Sequence, residues 1–209
     1  INNINSAVTS KKYIKVDCDN NNLILIWRKE EFLKVYLHEL VHFFDIDLDS
    51  IKHKGKNNNK IIDKFCFDSN IKLIPNEAIT DFIAILINCV IYSTEKNTDL
   101  NNIFQNEIKF SLFQSIKILK YYGFKNWNEF YNNNNCNIHF SQNTSVFSYY
   151  ILKSILFLYY NDTILMLKSI NTNDKYSLNF NYNKDSYSDI INYLIESFKK
   201  DDFSKIFEK

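Results

Sequence analysis

Two histidines four residues apart, His38 and His42, flank a glutamate in the run KEEFLKVYLHELVHFF. Phe32, Leu33, Val35, Tyr36, Leu40, Val41, Phe43 and Phe44 surround them, and no glycine or proline interrupts; this pattern predicts a helix. On a helix, residues four apart lie one above the other, about 5–6 Å between Cβ atoms. Both imidazoles can then reach one cation, each through one ring nitrogen at about 2.0–2.1 Å. Glu39 projects about 100° round from His38 and about 60° from His42 by the helical period. Its carboxylate falls beside such a cation rather than on it, where it can take a proton from a water the cation has acidified.

A catalytic cation site needs a third protein ligand and an open fourth position. The stretch PNEAITD, Pro75 to Asp81, offers one. Glu77 lies 77 − 42 = 35 positions after His42, in the first turn of a second predicted helix with Asn76 as its N-cap. Asp81 follows four residues later on the same face, where it can hydrogen-bond the far nitrogen of a ligand histidine. The H-E-x-x-H pattern alone arises by chance, as a helix with two surface histidines beside a glutamate. The second motif demotes that reading. Asp45, three residues past His42, is an alternative ligand whose expected place is a solvated helix end. His53 sits in the basic, asparagine-rich run IKHKGKNNNK and is expected in solvent.

HELVH followed by NEAITD resembles the gluzincins, zinc peptidases whose pattern is H-E-x-x-H and then E-x-x-x-D on a later helix. NEAITD is similar to the N-E-A-I-S-D of thermolysin-type enzymes, and HELVHFFDID to the H-E-x-x-H-x-F-D of neprilysin-type enzymes. The resemblance implies zinc ligands His38, His42 and Glu77, general base Glu39, and Asp81 behind a ligand histidine. It also implies a histidine at a loop-to-helix junction that steadies an oxyanion. His139, in NIHFSQNTS before a predicted helix Val146–Tyr160, takes that place, with Tyr149 and Tyr150 as rival donors. The function so implied is zinc-dependent hydrolysis of a peptide or protein substrate. Two alternatives stand beside it: a zincin-fold binding module without turnover, and a structural zinc protein. The intact Glu39 argues against the first. The mixed ligand set argues against the second, because closed structural sites use cysteine and histidine.

The elements that must position these residues read as a single domain over 1–209, α+β but predominantly α-helical. The zincin-like expectation is a small N-terminal β-sheet, about 11–28, over a helical lower lobe, about 29–209. The first ten residues are polar and expected to be loose. Tyr13–Cys18 and Leu23–Trp27 are predicted strands, the second offering an edge on which an extended peptide can lie. Helices are predicted from Asn76 to about Tyr92 with Val90 inward, from Leu100 to Tyr122 with Phe110 and Phe113 in the core, and within Ser186–Phe207. The asparagine runs Asn57–Lys60 and Asn132–Cys136 read as loops bordering the cleft.

Composition excludes other classes. Net charge is +1, with lysines and acids interspersed, so no basic surface for nucleic acid is expected. No apolar run of transmembrane length predicts a membrane span. Cys18, Cys66, Cys89 and Cys136 form no C-x-x-C pair and lack the density of a disulfide-stapled domain. That leans the expectation towards the cytoplasm, with a removed leader before Ile1 left open.

Overall fold

The computed structural model describes residues 7–9, 24–27, 29–44, 46–47, 54–131, 136–170 and 185–208. Over these residues the chain is predominantly helical, as its periodicity predicts. Strand β1 (Ala7–Thr9) pairs antiparallel with β2 (Ile24–Ile26), Ala7 opposite Ile26 and Thr9 opposite Ile24. The predicted strand Leu23–Trp27 thus overlaps β2, whereas Tyr13–Cys18 lies outside the described residues. Among the described residues the partner of β2 comes from the first ten, which the sequence predicts to be loose.

A short turn of 3₁₀ helix, Lys29–Glu31, leads into α1 (Phe32–Phe43). The helix closes where the N–H of Phe44 bonds back to Leu40 O at 3.0 Å. Leu37 and Val41 form its buried stripe, while Phe32 and Phe44 are exposed. The run Asn57–Lys60, expected as a loop, lies instead inside α2 (Lys54–Ile62). Asparagine is a poor helix former, but Asn58 donates to Leu73 O at 3.0 Å and accepts from the Tyr187 hydroxyl at 2.6 Å. Those tertiary bonds and the burial of Ile61 override local propensity.

Helix α3 (Asn76–Lys96) begins at Asn76, the residue expected as its cap, so the cap falls one residue earlier. Pro75, at φ −62°, holds the N-cap place, with the ring geometry that suits a first turn. The helix runs past Tyr92 to Asn97, which adopts the left-handed conformation at φ 48° and bonds Ser93 O. Ile79, Phe82, Ile85 and Cys89 are buried as the pattern predicts; Val90, predicted inward, is exposed. Among the described helices α3 alone has the length and apolarity of a membrane span. Its buried residues include Asn76, Thr80 and Asp81, which marks a core helix.

Helix α4 (Leu100–Tyr121) is capped by the Asp99 side chain and stops before Gly123, whose φ of 96° a residue with a Cβ rarely adopts. Phe110 and Phe113, which the apolar pattern predicts as core, are both exposed. The face turned inward carries Ser111, Leu112, Ser115 and Leu119. Its small serines let α4 approach the next segment closely, and Ser115 donates to Tyr150 O at 2.8 Å. After α5 (Trp127–Tyr131), the predicted helix Val146–Tyr160 is broken into a π-helical turn (Phe147–Leu152), α6 (Lys153–Leu158) and α7 (Tyr160–Ile170). The tail folds as α8 (Ser186–Phe198) and α9 (Asp201–Phe207). Ile151 to Phe157 form the centre of the core. Around Phe65 the rings of Phe130, Phe147 and Phe198 lie with centroids 5.0, 5.2 and 4.9 Å away.

Cys66 and Cys136 form a disulfide across 70 positions of sequence. Beside it Phe67 and Phe140 pair in an isolated parallel bridge, with Phe140 N bonding Cys66 O at 2.8 Å and Asp68 N bonding Phe140 O at 2.9 Å. The bridged strand then reaches Gln142, which donates to Lys72 O and accepts from Phe147 N. The cross-link therefore sits at the root of the π-helical turn. Loop-closure entropy for a ring of this length predicts that Cys136→Ser lowers unfolding free energy by about 4 kcal/mol. Chemical denaturation checks this; an unchanged midpoint would show that the bond adds nothing to the fold.

Candidate metal centre

Helix α1 packs along α3 and brings His38 and His42 to the first turns of that helix. There the Nε2 atoms of the two histidines stand 3.1 Å apart, and each lies 3.4 Å from Glu77 Oε2. Three donor atoms thus make a nearly equilateral triangle. Ligand atoms about 2.0–2.1 Å from a tetrahedral zinc ion stand about 3.3 Å from one another, so the triangle has the dimensions of one face of such a site. His38, His42 and Glu77 are also the group among the described residues able to hold a metal ion.

The remaining ring nitrogens are occupied in a way that aims the histidines. His38 Nδ1 donates to Asp81 Oδ1 at 2.9 Å, and His42 Nδ1 donates to Asp47 Oδ2 at 2.7 Å. With a proton on each Nδ1, each ring in its neutral form would present an Nε2 lone pair to the carboxylate of Glu77. Three lone-pair donors at this separation repel unless a cation or protons lie between them. The donor set, two imidazoles and a carboxylate, suits zinc.

Charges around the triangle follow the same logic. Burial disfavours a charged His38, but hydrogen bonds to Asp81 and Glu77 outweigh it and raise the imidazole to about 9. His42 is likewise opposed by burial, then lifted to about 10 by Asp47 and Glu77. Burial pushes the Glu77 carboxyl up, and the two histidines hold it far below the usual carboxylate range. For Asp81, burial is overcome first by the Lys153 ammonium and then by His38, and its carboxyl too stays well below that range.

Glu39 is almost wholly buried on α1. Its charge is felt at the Tyr149 hydroxyl, which burial first, and then Glu77, keep strongly protonated. Tyr149, on the π-helical turn, donates to Glu77 Oε2 at 2.7 Å, and its ring centroid is 6.0 Å from that of His38. Tyr150 is exposed. His139 is exposed on the segment before the π-helical turn and takes no part in the contacts joining these groups. Asp45 and His53 lie outside the described residues.

Two members of the centre escape the motifs. Asp47 is fully buried and accepts from both His42 and Asn76 Nδ2, the latter at 3.2 Å. Lys153 is buried and donates to Asp81 Oδ2 at 3.0 Å. A signal for Lys153 exists in hindsight: Tyr149 and Lys153 repeat the four-residue spacing of His38–His42 and Glu77–Asp81. The π-helical turn sets that register, with Lys153 N bonding back to Ser148 O in the i→i+5 pattern common at functional sites.

No protein-family model matches the chain, and no solved structure matches it. It is similar to an uncharacterized protein of Acanthamoeba polyphaga mimivirus, at 28% identity over 149 residues, 66% of this chain and 37% of that one. The matched region thus spans little more than a third of the relative's length.

Proposed function

We propose that the chain is a zinc metallopeptidase of gluzincin type, with His38, His42 and Glu77 as ligands and Glu39 as general base. The observation that carries this reading is the triangle of donors with both histidine Nδ1 atoms held by buried carboxylates. Zinc held there supplies Lewis acidity for a carbonyl and acidifies water. Asp47 and Asp81 hold the proton on each Nδ1 and point each Nε2 inward, so that zinc displaces only the Nε2 proton. Glu39 accepts a proton from the attacking water and hands it to the leaving amine. Tyr149, already at the edge of the triangle, donates to the oxyanion in place of the expected His139. The zincin-like layout in this reading sets the small β1–β2 ladder over the helical lobe, α1 included, with the metal between them.

The test is zinc content together with hydrolysis of a broad peptide library, removed by chelation and restored by zinc. A chain that takes up no zinc, or a zinc-loaded chain that cleaves nothing in the library, sinks the proposal. The oxyanion assignment has its own check. Tyr149→Phe is expected to lower kcat by about 10²–10³ with little change in KM, the cost of losing one such donor. His139→Ala is expected to stay within a few-fold of wild type; the reverse outcome returns the role to His139.

A further inference from the structure

Lys153 is an ammonium placed where the fold would not put one for packing alone. It is buried at the first turn of α6, and Ser154, Ile155, Leu156 and Phe157 immediately after it are buried as well. A buried charge is costly unless paired, and its hydrogen-bonded partner is Asp81 Oδ2. The other oxygen of the same carboxylate, Oδ1, accepts the Nδ1 proton of His38. Lys153, Asp81, His38 and the donor triangle therefore form one continuous chain of contacts running through three helices.

The second histidine is held differently. Asp47 Oδ2 accepts from both His42 and the neutral amide of Asn76. Asp81, by contrast, divides its two oxygens between an imidazole and a full positive charge. That division fixes the carboxylate plane. Lys34 adds to the positive field at Asp81, and the Tyr150 ring lies 5.7 Å from the ammonium, but the hydrogen bond that orients the carboxylate comes from Lys153.

We infer that Lys153 is a positioning residue of the metal centre: by occupying Asp81 Oδ2 it reserves Oδ1 for His38 and so holds the His38 Nε2 lone pair in the donor triangle. This rests on the zinc reading of the site. Zinc retention then depends on the register of the π-helical turn, which sets both Lys153 and Tyr149.

The experiment compares zinc dissociation constants, measured by competition with a chromophoric chelator, across Lys153→Met, Lys153→Gln, Asp81→Ala and the double variant Lys153→Met/Asp81→Ala. Melting temperatures of the metal-free proteins report on folding. Lys153→Met is expected to weaken zinc binding about 10–100-fold, the range for loss of a partner behind a ligand. Lys153→Gln keeps an N–H donor for Asp81 and is expected to fall between wild type and methionine; it also carries the test if the methionine variant does not fold. Because Lys153 acts through Asp81, the double variant should bind zinc no more weakly than Asp81→Ala alone. A flat series with matched melting temperatures, or losses that add in the double variant, overturns the inference while leaving the zinc site standing. A wild-type chain that binds no zinc overturns both.

Discussion

Replacing Glu39 with glutamine leaves, as the expected result, a folded and zinc-loaded protein that no longer turns over peptide. The amide has nearly the shape of the carboxylate, so the buried position on α1 is filled as before. His38, His42 and Glu77 should keep their mutual distances, because Glu39 is not one of the three donors. What disappears is the lone pair that accepts the proton of the attacking water. General-base catalysis contributes typically about 10²–10⁴-fold, and the fall in kcat should reach at least that. Turnover within tenfold of wild type at one zinc per chain would remove Glu39 from the mechanism. Matching zinc stoichiometry is the control that separates lost chemistry from lost metal.

Substituting a ligand has the opposite signature. Glu77→Ala, His38→Ala and His42→Ala should each weaken zinc binding by more than about 100-fold, beyond the cost of losing a partner behind a ligand. Full retention in Glu77→Ala would place the third ligand elsewhere, with Asp45 the next to examine. The pH dependence of binding has a definite sign. His38 and His42 are raised from 6.5 to about 9 and about 10 in the metal-free protein, so both carry protons at neutral pH that zinc must displace. Zinc affinity therefore rises with pH until about 10, and uptake at pH 7 releases protons. Stability of the metal-free fold runs the other way. The contribution of a raised histidine is complete below its unfolded value of 6.5 and is lost as pH climbs through about 9 and then about 10. Calorimetry in buffers of different ionisation enthalpy reads the proton release directly; binding without any would contradict this account.

The local spacings were the legible part of this chain. His38–His42 and Glu77–Asp81 are each one helical turn, a relation that sequence periodicity displays, and the structure brings both pairs together. Other features depend on which partner arrives from afar, and periodicity does not encode that. Phe110 and Phe113 looked like core because they are apolar; α4 turned its serines inward because a neighbouring backbone comes close there. Asn58 looked like loop because its partners, Leu73 and Tyr187, are 15 and 129 positions away. The choice of Tyr149 over His139 at the triangle, and the pairing of Lys153 with Asp81, follow from a π-helical turn that an apolar run does not announce. Asp47 sat in plain view among three alternating acids, with nothing to single it out before His42 and Asn76 closed on it.

The three pairs His38–His42, Glu77–Asp81 and Tyr149–Lys153 also define where this chain can change length. One residue inserted between the members of either α-helical pair rotates one of them about 100° from the other, and one inserted in the π-helical turn shifts the register that sets Tyr149 and Lys153. Residues added in the connections leave each pair intact, and longer surface loops cost little, on the order of 0.6 kcal/mol per doubling. Tolerance to insertion should therefore be a step function along the sequence, nil inside three windows of five residues and broad in the turns between helices. For the same reason, a distant relative is better sought by three short spacings in fixed order than by the distances separating them.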